Sequence, residues 1–284
     1  MGTIKERMKQ DLELRNYAPN TRRAYLRIAE ALVRHFMIDP REMGEREVRT
    51  YLLNRSRHLK PSTLAVEVAA IKFLFEVTLD RPEVAVRIPI PKVTRTLPDT
   101  LTGSEVVALL AAVESLKHRA ILTVTYGAGL RVSEACALKP EDIDSKRMVI
   151  KVRNAKGAKD RYVMLAETVL HGLREYYKAE RPAKPWLFPG QHTDHHIGVD
   201  AVREALRKAV KAVGLNKRVT PHVLRHAFAT HLVESGTDIY TVQVLLGHSS
   251  IRSTQFYTRL STAHLARTKS PLDQIGTEQG EVLG

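Results

Sequence analysis

The sequence predicts a mainly α-helical protein of two domains, an amino-terminal helical bundle and an α-rich second domain that carries a small antiparallel β-hairpin. Three observations predict it. Apolar residues recur at helical spacing through residues 1–80, prolines crowd residues 81–100, and a single pair of β-rich runs interrupts an otherwise helical second half. A chain of 284 residues is long enough for roughly two buried cores.

In the first domain Tyr25, Ile28, Leu32 and Phe36 recur every three or four residues, with Arg22, Arg23, Arg27 and Arg34 between them, which predicts a basic outer face. Ser62, just after Pro61, is placed as the cap of a helix carrying Leu64, Val68, Ile71, Phe75 and Leu79. Arg81-Pro82, Ile88-Pro89-Ile90-Pro91 and Leu97-Pro98 space prolines too closely for a helix and predict an extended linker. The expected division is 1–92 for the bundle, 93–100 for the linker, 101–270 for the second domain and 271–284 for a tail.

Thr102-Gly103-Ser104-Glu105 opens the next helix, with Val106, Leu109 and Leu110 on its apolar side. The runs Met148–Val152 and Arg161–Leu165 flank Asn154–Lys159, a hairpin pattern with lysines at its tip. Helices are predicted near 167–179, 199–213, 221–235, 238–246 and 250–260.

The charge balance narrows the function classes. Lys and Arg total 45 against 31 Asp and Glu, a formal net charge of +14, which points to a polyanionic partner. The excess is spread along the chain, with 18 basic and 12 acidic side chains in residues 1–92 and 27 and 19 in the remainder. Cys136 is the sole cysteine, so no internal disulfide forms and a reducing cytoplasm is expected. The opening residues lack an apolar signal core, and the most apolar stretch, Ala120 to Leu130, is too short to span a bilayer.

Several segments could carry chemistry. Thr220-Pro221 starts a helix and Gly236 stops it; Leu224, Phe228 and Leu232 form its apolar stripe. His222 and Arg225 lie three residues apart near that helix start, which suits a phosphate, although the pair by itself reads more readily as a solvated polar face. Gly247 ends a later helix and Ser249 or Ser250 caps the next, so His248 falls in the turn between them and Tyr257 on the following helix. A tyrosine in that position reads by itself as a packing residue. Gly127-Ala128-Gly129-Leu130-Arg131-Val132-Ser133-Glu134 lacks both the Lys-Ser/Thr ending of a P-loop and the third glycine of a dinucleotide loop; it is a glycine-broken turn leading into a helix that starts with arginine. His192-Thr193-Asp194-His195-His196 resembles a metal cluster but has no matching ligands elsewhere and reads as a loop.

Taken in order, Arg131 in GLRVSE, Lys156 at the hairpin tip, His222 and Arg225 in His-x-x-Arg, His248 in LLGH and Tyr257 nine residues later resemble the tyrosine recombinase (phage integrase) family. The resemblance covers the whole chain, including Leu97–Thr102 and the amino-terminal bundle, which it identifies as a SAM-like core-binding domain. It departs from the family at Asn154-Ala155, where glycine often precedes the lysine, and Lys159 lies in the same turn.

The resemblance implies a site-specific DNA recombinase with Arg131, Lys156, His222, Arg225, His248 and the nucleophile Tyr257 as catalytic residues, and Glu134 supporting an arginine. A structural salt bridge is the competing reading of Glu134. The arginines would clamp the non-bridging oxygens as Tyr257 attacks, Lys156 would protonate the 5′ oxygen, His222 would assist proton transfer at the phenol and His248 would hydrogen-bond the phosphate. The product is a 3′-phosphotyrosine, formed without metal or nucleotide cofactor. The implied partners are double-stranded DNA and further copies of the chain, a tetramer on two DNA sites; an accessory activator is left open. Pro271, Gly276 and Gly280 support a protomer-contact helix poorly. The chain is most like the short Xer-type members that resolve chromosome dimers, with a mobile-element integrase as the alternative. Two other classes, a catalytically silent DNA-binding module and a topoisomerase, are disfavoured by the six retained residues and by the amino-terminal bundle.

Overall fold

The computed structural model describes residues 2–92, 100–155, 159–192 and 194–247, with 154, 155 and 159 described through their backbone alone. The chain divides into two compact units, Met1–Thr96 and Leu97–Gly284.

The first unit contains α1 (Gly2–Leu14), α2 (Pro19–Phe36), α3 (Glu45–Ser56), α4 (Pro61–Phe73) and α5 (Pro82–Val86), with a π-helical turn, Leu74–Thr78, continuing α4. Its core is built by helical spacing: Ile4, Met8 and Leu12 of α1 meet Ile28 and Leu32 of α2 and Val68 and Ile71 of α4. Arg23, Arg27 and Arg34 of α2 are exposed, as a basic outer face requires. Arg22 instead pairs with Glu13 at 2.6 Å.

Proline starts α2, α4 and α5, because its fixed φ and missing N–H suit the first helical position. That preference corrects two expectations. Ser62 is not a cap: Pro61 already opens α4, Lys60 stands at the N-cap and Ser62 lies inside the first turn. Residues 81–88 are not extended linker: Pro82 opens α5, and Val84, Ala85 and Ile88 are buried in the bundle core.

The second unit runs α6 (Gly103–Ala111), α7 (Leu116–Gly127), α8 (Val132–Cys136), β1 (Ile143–Asp144), β2 (Val149–Ala155), β3 (Lys159–Met164), α9 (Glu167–Glu180), α10 (Val199–Val213), α11 (Pro221–Glu234) and α12 (Ile239–Leu246). Thr102 caps α6 in a reciprocal box with Glu105, as its sequence predicts. Helix α7 is central, packed against α9, α10 and α11, which explains its apolar composition. The helix expected at 250–260 and the tail 271–284 lie outside the described residues. Among the described residues no helix is long and apolar enough to cross a membrane.

The β-rich runs pair as an antiparallel hairpin, and β1 adds a short third strand in the order β1-β2-β3. Ile150 faces Val163 and Val152 faces Arg161, while Lys151 faces Tyr162 on the opposite side. Ile150, Val152 and Val163 are buried and Tyr162 is exposed, so Arg161 stands on the inward face of the sheet. A register shift between Val152 and Ala155 leaves an irregularity beside the hairpin tip.

Candidate active site

Three segments remote in sequence converge on one carboxylate. Gly129 adopts φ +62°, and a Cβ there would lie 2.3 Å from the Phe228 ring, so only glycine permits the sharp turn between α7 and α8. The turn delivers Arg131 to the N-cap of α8. Glu134, three residues on, reaches back: its Oε2 accepts from the Arg131 backbone N–H at 2.9 Å and its Oε1 from Arg131 Nη1 at 2.7 Å.

The second segment is β3. Arg161 grips the same carboxylate with both arms of its fork, Nη1 to Oε1 at 3.1 Å and Nη2 to Oε2 at 2.8 Å. The third is α11, capped by Thr220, whose hydroxyl accepts from the Val223 N–H. From its second turn Arg225 brings Nη1 to 3.6 Å from Glu134 Oε2. The same Nη1 donates to the carbonyl of Gly129 at 2.7 Å, and Nη2 donates to the carbonyl of Leu246.

Arg225 is thus a buried residue, 2 % exposed, and not part of a solvated face. Arg131 is more open, its side chain 32 % exposed. Burial pushes the Glu134 carboxyl up, but the hydrogen bonds from Arg161 and from the Arg131 backbone and side chain, with the charge of Arg161, hold it at about 2. It is therefore ionised, and the four side chains carry a net charge of +2.

His222, on the first turn of α11, stands exposed beside this cluster. The surrounding protein lowers its pKa, and the Arg225 and Arg131 charges lower it further. Its ring meets that of His226 edge to face, centroids 4.3 Å apart. Burial, then His222 and Arg225, push His226 down to about 4. Both imidazoles are neutral near pH 7.

The structure therefore brings together Arg131, Glu134, His222 and Arg225. Lys156, His248 and Tyr257 lie outside the described residues; the described chain reaches Ala155 before the first and Gly247 before the second. Leu246 ends α12 on Arg225, and Gly247 follows at φ +59° as the expected helix stop. Arg161 was not singled out in the sequence. Its signal was the alternation of Tyr162, Val163, Met164 and Leu165, exposed and buried in turn, which puts position 161 inside. Among the described residues no group of three or more His, Cys, Asp or Glu side chains is placed to hold a metal ion.

The chain matches the models of the phage integrase family over residues 99–264 and of the phage integrase N-terminal SAM-like domain over residues 4–83. It is 46% identical over 278 residues to a putative integrase/recombinase, y4qK, of Sinorhizobium fredii, covering 97% of this chain and 90% of that protein. It is 35% identical over 276 residues to tyrosine recombinase XerA of Thermococcus onnurineus, covering 95% of each. Its fold is similar to the XerH site-specific recombinase solved bound to a palindromic difH substrate in a post-cleavage complex, with TM-score 0.70 and 22% identity over 89% of this chain and 79% of that one. With a family model spanning the arginine cluster and relatives matched from end to end, the chain belongs to the phage integrase (tyrosine recombinase) family and is a DNA breaking and rejoining enzyme.

Proposed function

We propose that the protein is a site-specific recombinase in which Tyr257 attacks a DNA phosphodiester held by Arg131 and Arg225. The observation that carries this reading is the gathering of three guanidiniums on Glu134, which leaves a net +2 in a partly buried site. A phosphodiester brings one negative charge, and the five-coordinate transition state brings two. The cluster is complementary to the transition state more than to the ground state, the condition for rate acceleration.

The remaining roles follow from proton bookkeeping. A tyrosine phenol ionises near pH ~10, so at neutral pH its proton must leave as the bond to phosphorus forms. His222, its pKa lowered by the surrounding protein and by the adjacent arginine charges, is suited to accept it. Lys156 donates a proton to the departing 5′ oxygen, and His248 hydrogen-bonds a non-bridging oxygen. Attack forms the Tyr257–phosphorus bond and breaks the bond to the 5′ oxygen; a 5′-hydroxyl of another strand reverses the step and regenerates the phenol. Glu134 orients the two clamping arginines.

The partner is double-stranded DNA, in keeping with the net charge of +14 and with the DNA-bound state of the XerH fold neighbour. The tetramer on two sites, the division into a 1–92 bundle, a 93–100 linker and a 101–270 catalytic domain, and the use of residues 271–284 between protomers belong to the same proposal. Resolution of chromosome dimers is the biological role favoured by the resemblance to the short Xer-type recombinases, with integration of a mobile element as a second reading; the relatives include both a tyrosine recombinase XerA and a putative integrase/recombinase.

Covalent capture tests the proposal. Fragments of the source genome are incubated with the protein, and DNA that stays attached after denaturation is sequenced. One recurring sequence is expected, and two duplexes carrying it should exchange strands. Binding without covalent attachment would leave a silent DNA-binding module, and relaxation of supercoils without exchange would leave a topoisomerase. A captured site at a fixed chromosomal locus supports dimer resolution; sites at the ends of an insertion support the element reading.

A further inference from the structure

Strand β3 carries an arginine where its alternation calls for an apolar residue. Val163 and Leu165 are buried and Tyr162 is exposed, so position 161 faces inward opposite Val152. A guanidinium on an inward face is costly unless its charge is paired and its N–H groups are satisfied. Arg161 meets both conditions at 10% side-chain exposure: the fork closes on Glu134, and Nε donates to the carbonyl of Leu245 at 3.2 Å.

That last contact joins a second one. The adjacent carbonyl, Leu246, accepts from Arg225. Carbonyls in the last turn of a helix have no partner within it and mark its negative end. Two arginines from different elements satisfy two of them in α12. Gly247 suits this arrangement: its φ is +59°, and a Cβ there would crowd Arg161 Cδ and Nε at 3.1 Å.

We infer that Arg161 is a positioning residue for strand transfer, tying the β3 strand, the Arg131 turn and the carboxyl end of α12 together through Glu134 and Leu245. It has two consequences. The strand that leads from Lys156 and the helix end that leads to His248 are both held by Arg161, which grips the same carboxylate that orients Arg131. Arg161 also shares the negative charge of Glu134, so Arg131 and Arg225 retain more of their charge for the phosphate.

The inference rests on the recombinase reading, and one experiment separates the two. A nicked duplex carrying the captured site is incubated with saturating parent protein, Arg161→Lys or Arg161→Gln, and the rate of covalent attachment, the DNA affinity and the melting temperature are measured. The Gln variant is expected to attach about 10–100-fold more slowly, the usual loss when a residue that orients a reacting group is removed, with affinity unchanged. Lys, which keeps the charge but not the two-armed geometry, should recover part of the rate. Should the Gln variant fail to fold, the Lys variant carries the test, with a rate below the parent at equal affinity. Attachment by Arg161→Lys at the parental rate overturns the inference, as does a rate loss matched by an equal loss of affinity or of folded protein. A parent protein that never attaches contradicts the recombinase reading instead.

Discussion

Arg225 donates to the carbonyl of Leu246, so a side chain of α11 fixes the point from which the chain leaves α12 toward His248. The other arm of the fork holds Gly129, two residues before Arg131. One guanidinium thereby sets the spacing of two segments that supply site residues, which is why a planar, two-armed cation stands here.

Arg225→Lys keeps the charge but cannot serve both carbonyls. A single ammonium leaves one buried acceptor unsatisfied, which costs about 1–3 kcal/mol. On the proposed role of Arg225 as a phosphate clamp, cleavage should also fall on the order of 10²–10³-fold. Urea unfolding and covalent attachment to a nicked site measure the two effects separately.

Gly129→Ala should damage both stability and cleavage. The position combines φ +62° with a Phe228 ring 2.3 Å from the new methyl, and its carbonyl is an Arg225 acceptor. Gly214→Ala is the control: its φ is +72° but nothing lies within 4 Å, so only backbone strain of about 1–2 kcal/mol applies and cleavage should persist. Equal loss of activity in the two variants would contradict a special role for the Gly129 turn.

The Glu134 carboxyl is held at about 2 against an ordinary value of 4.5. A depressed folded-state value means the unfolded chain binds the proton more readily. The stability from this group is complete above pH 4.5 and is lost as pH falls toward 2. Its magnitude is on the order of 3 kcal/mol. Denaturant midpoints measured across that window should fall less steeply in Glu134→Gln than in the parent.

The helices of the bundle, α6 with its cap, the hairpin, and α9 to α12 were legible because apolar spacing, Thr-x-x-Glu, Thr-Pro and αL glycines act locally. Residues 82–88 depart from the extended segment the sequence predicts, because proline both excludes a helix interior and favours a helix start; only the burial of Val84, Ala85 and Ile88 decides between them. The motif residues Arg131, His222 and Arg225 were visible as a set, and the structure brings them together around Glu134. The burial of Arg225 and the part played by Arg161 were not visible, since both depend on contacts 96 and 27 positions away in the chain.

His226 is pushed down to about 4 by burial, by His222 and by Arg225. The unfolded chain takes up a proton on this residue near pH ~6.5. Stability present above that pH should therefore decline as the medium is acidified toward pH 4, and His226→Gln should flatten that decline. His222, also lowered, should stay neutral below its ordinary 6.5, so cleavage by the parent should hold into mildly acidic solution. Single-turnover rates against pH, with His222→Gln for comparison, check this.

The measurement that tests the central claim most directly is the site of covalent attachment. A nicked target duplex traps the cleaved strand on the protein; digestion and mass spectrometry then identify the modified residue. The arginine cluster and the family pattern predict a 3′-phosphate ester on Tyr257, absent in Tyr257→Phe while that variant still binds the duplex. An adduct on another residue, or one that survives in Tyr257→Phe, would contradict it.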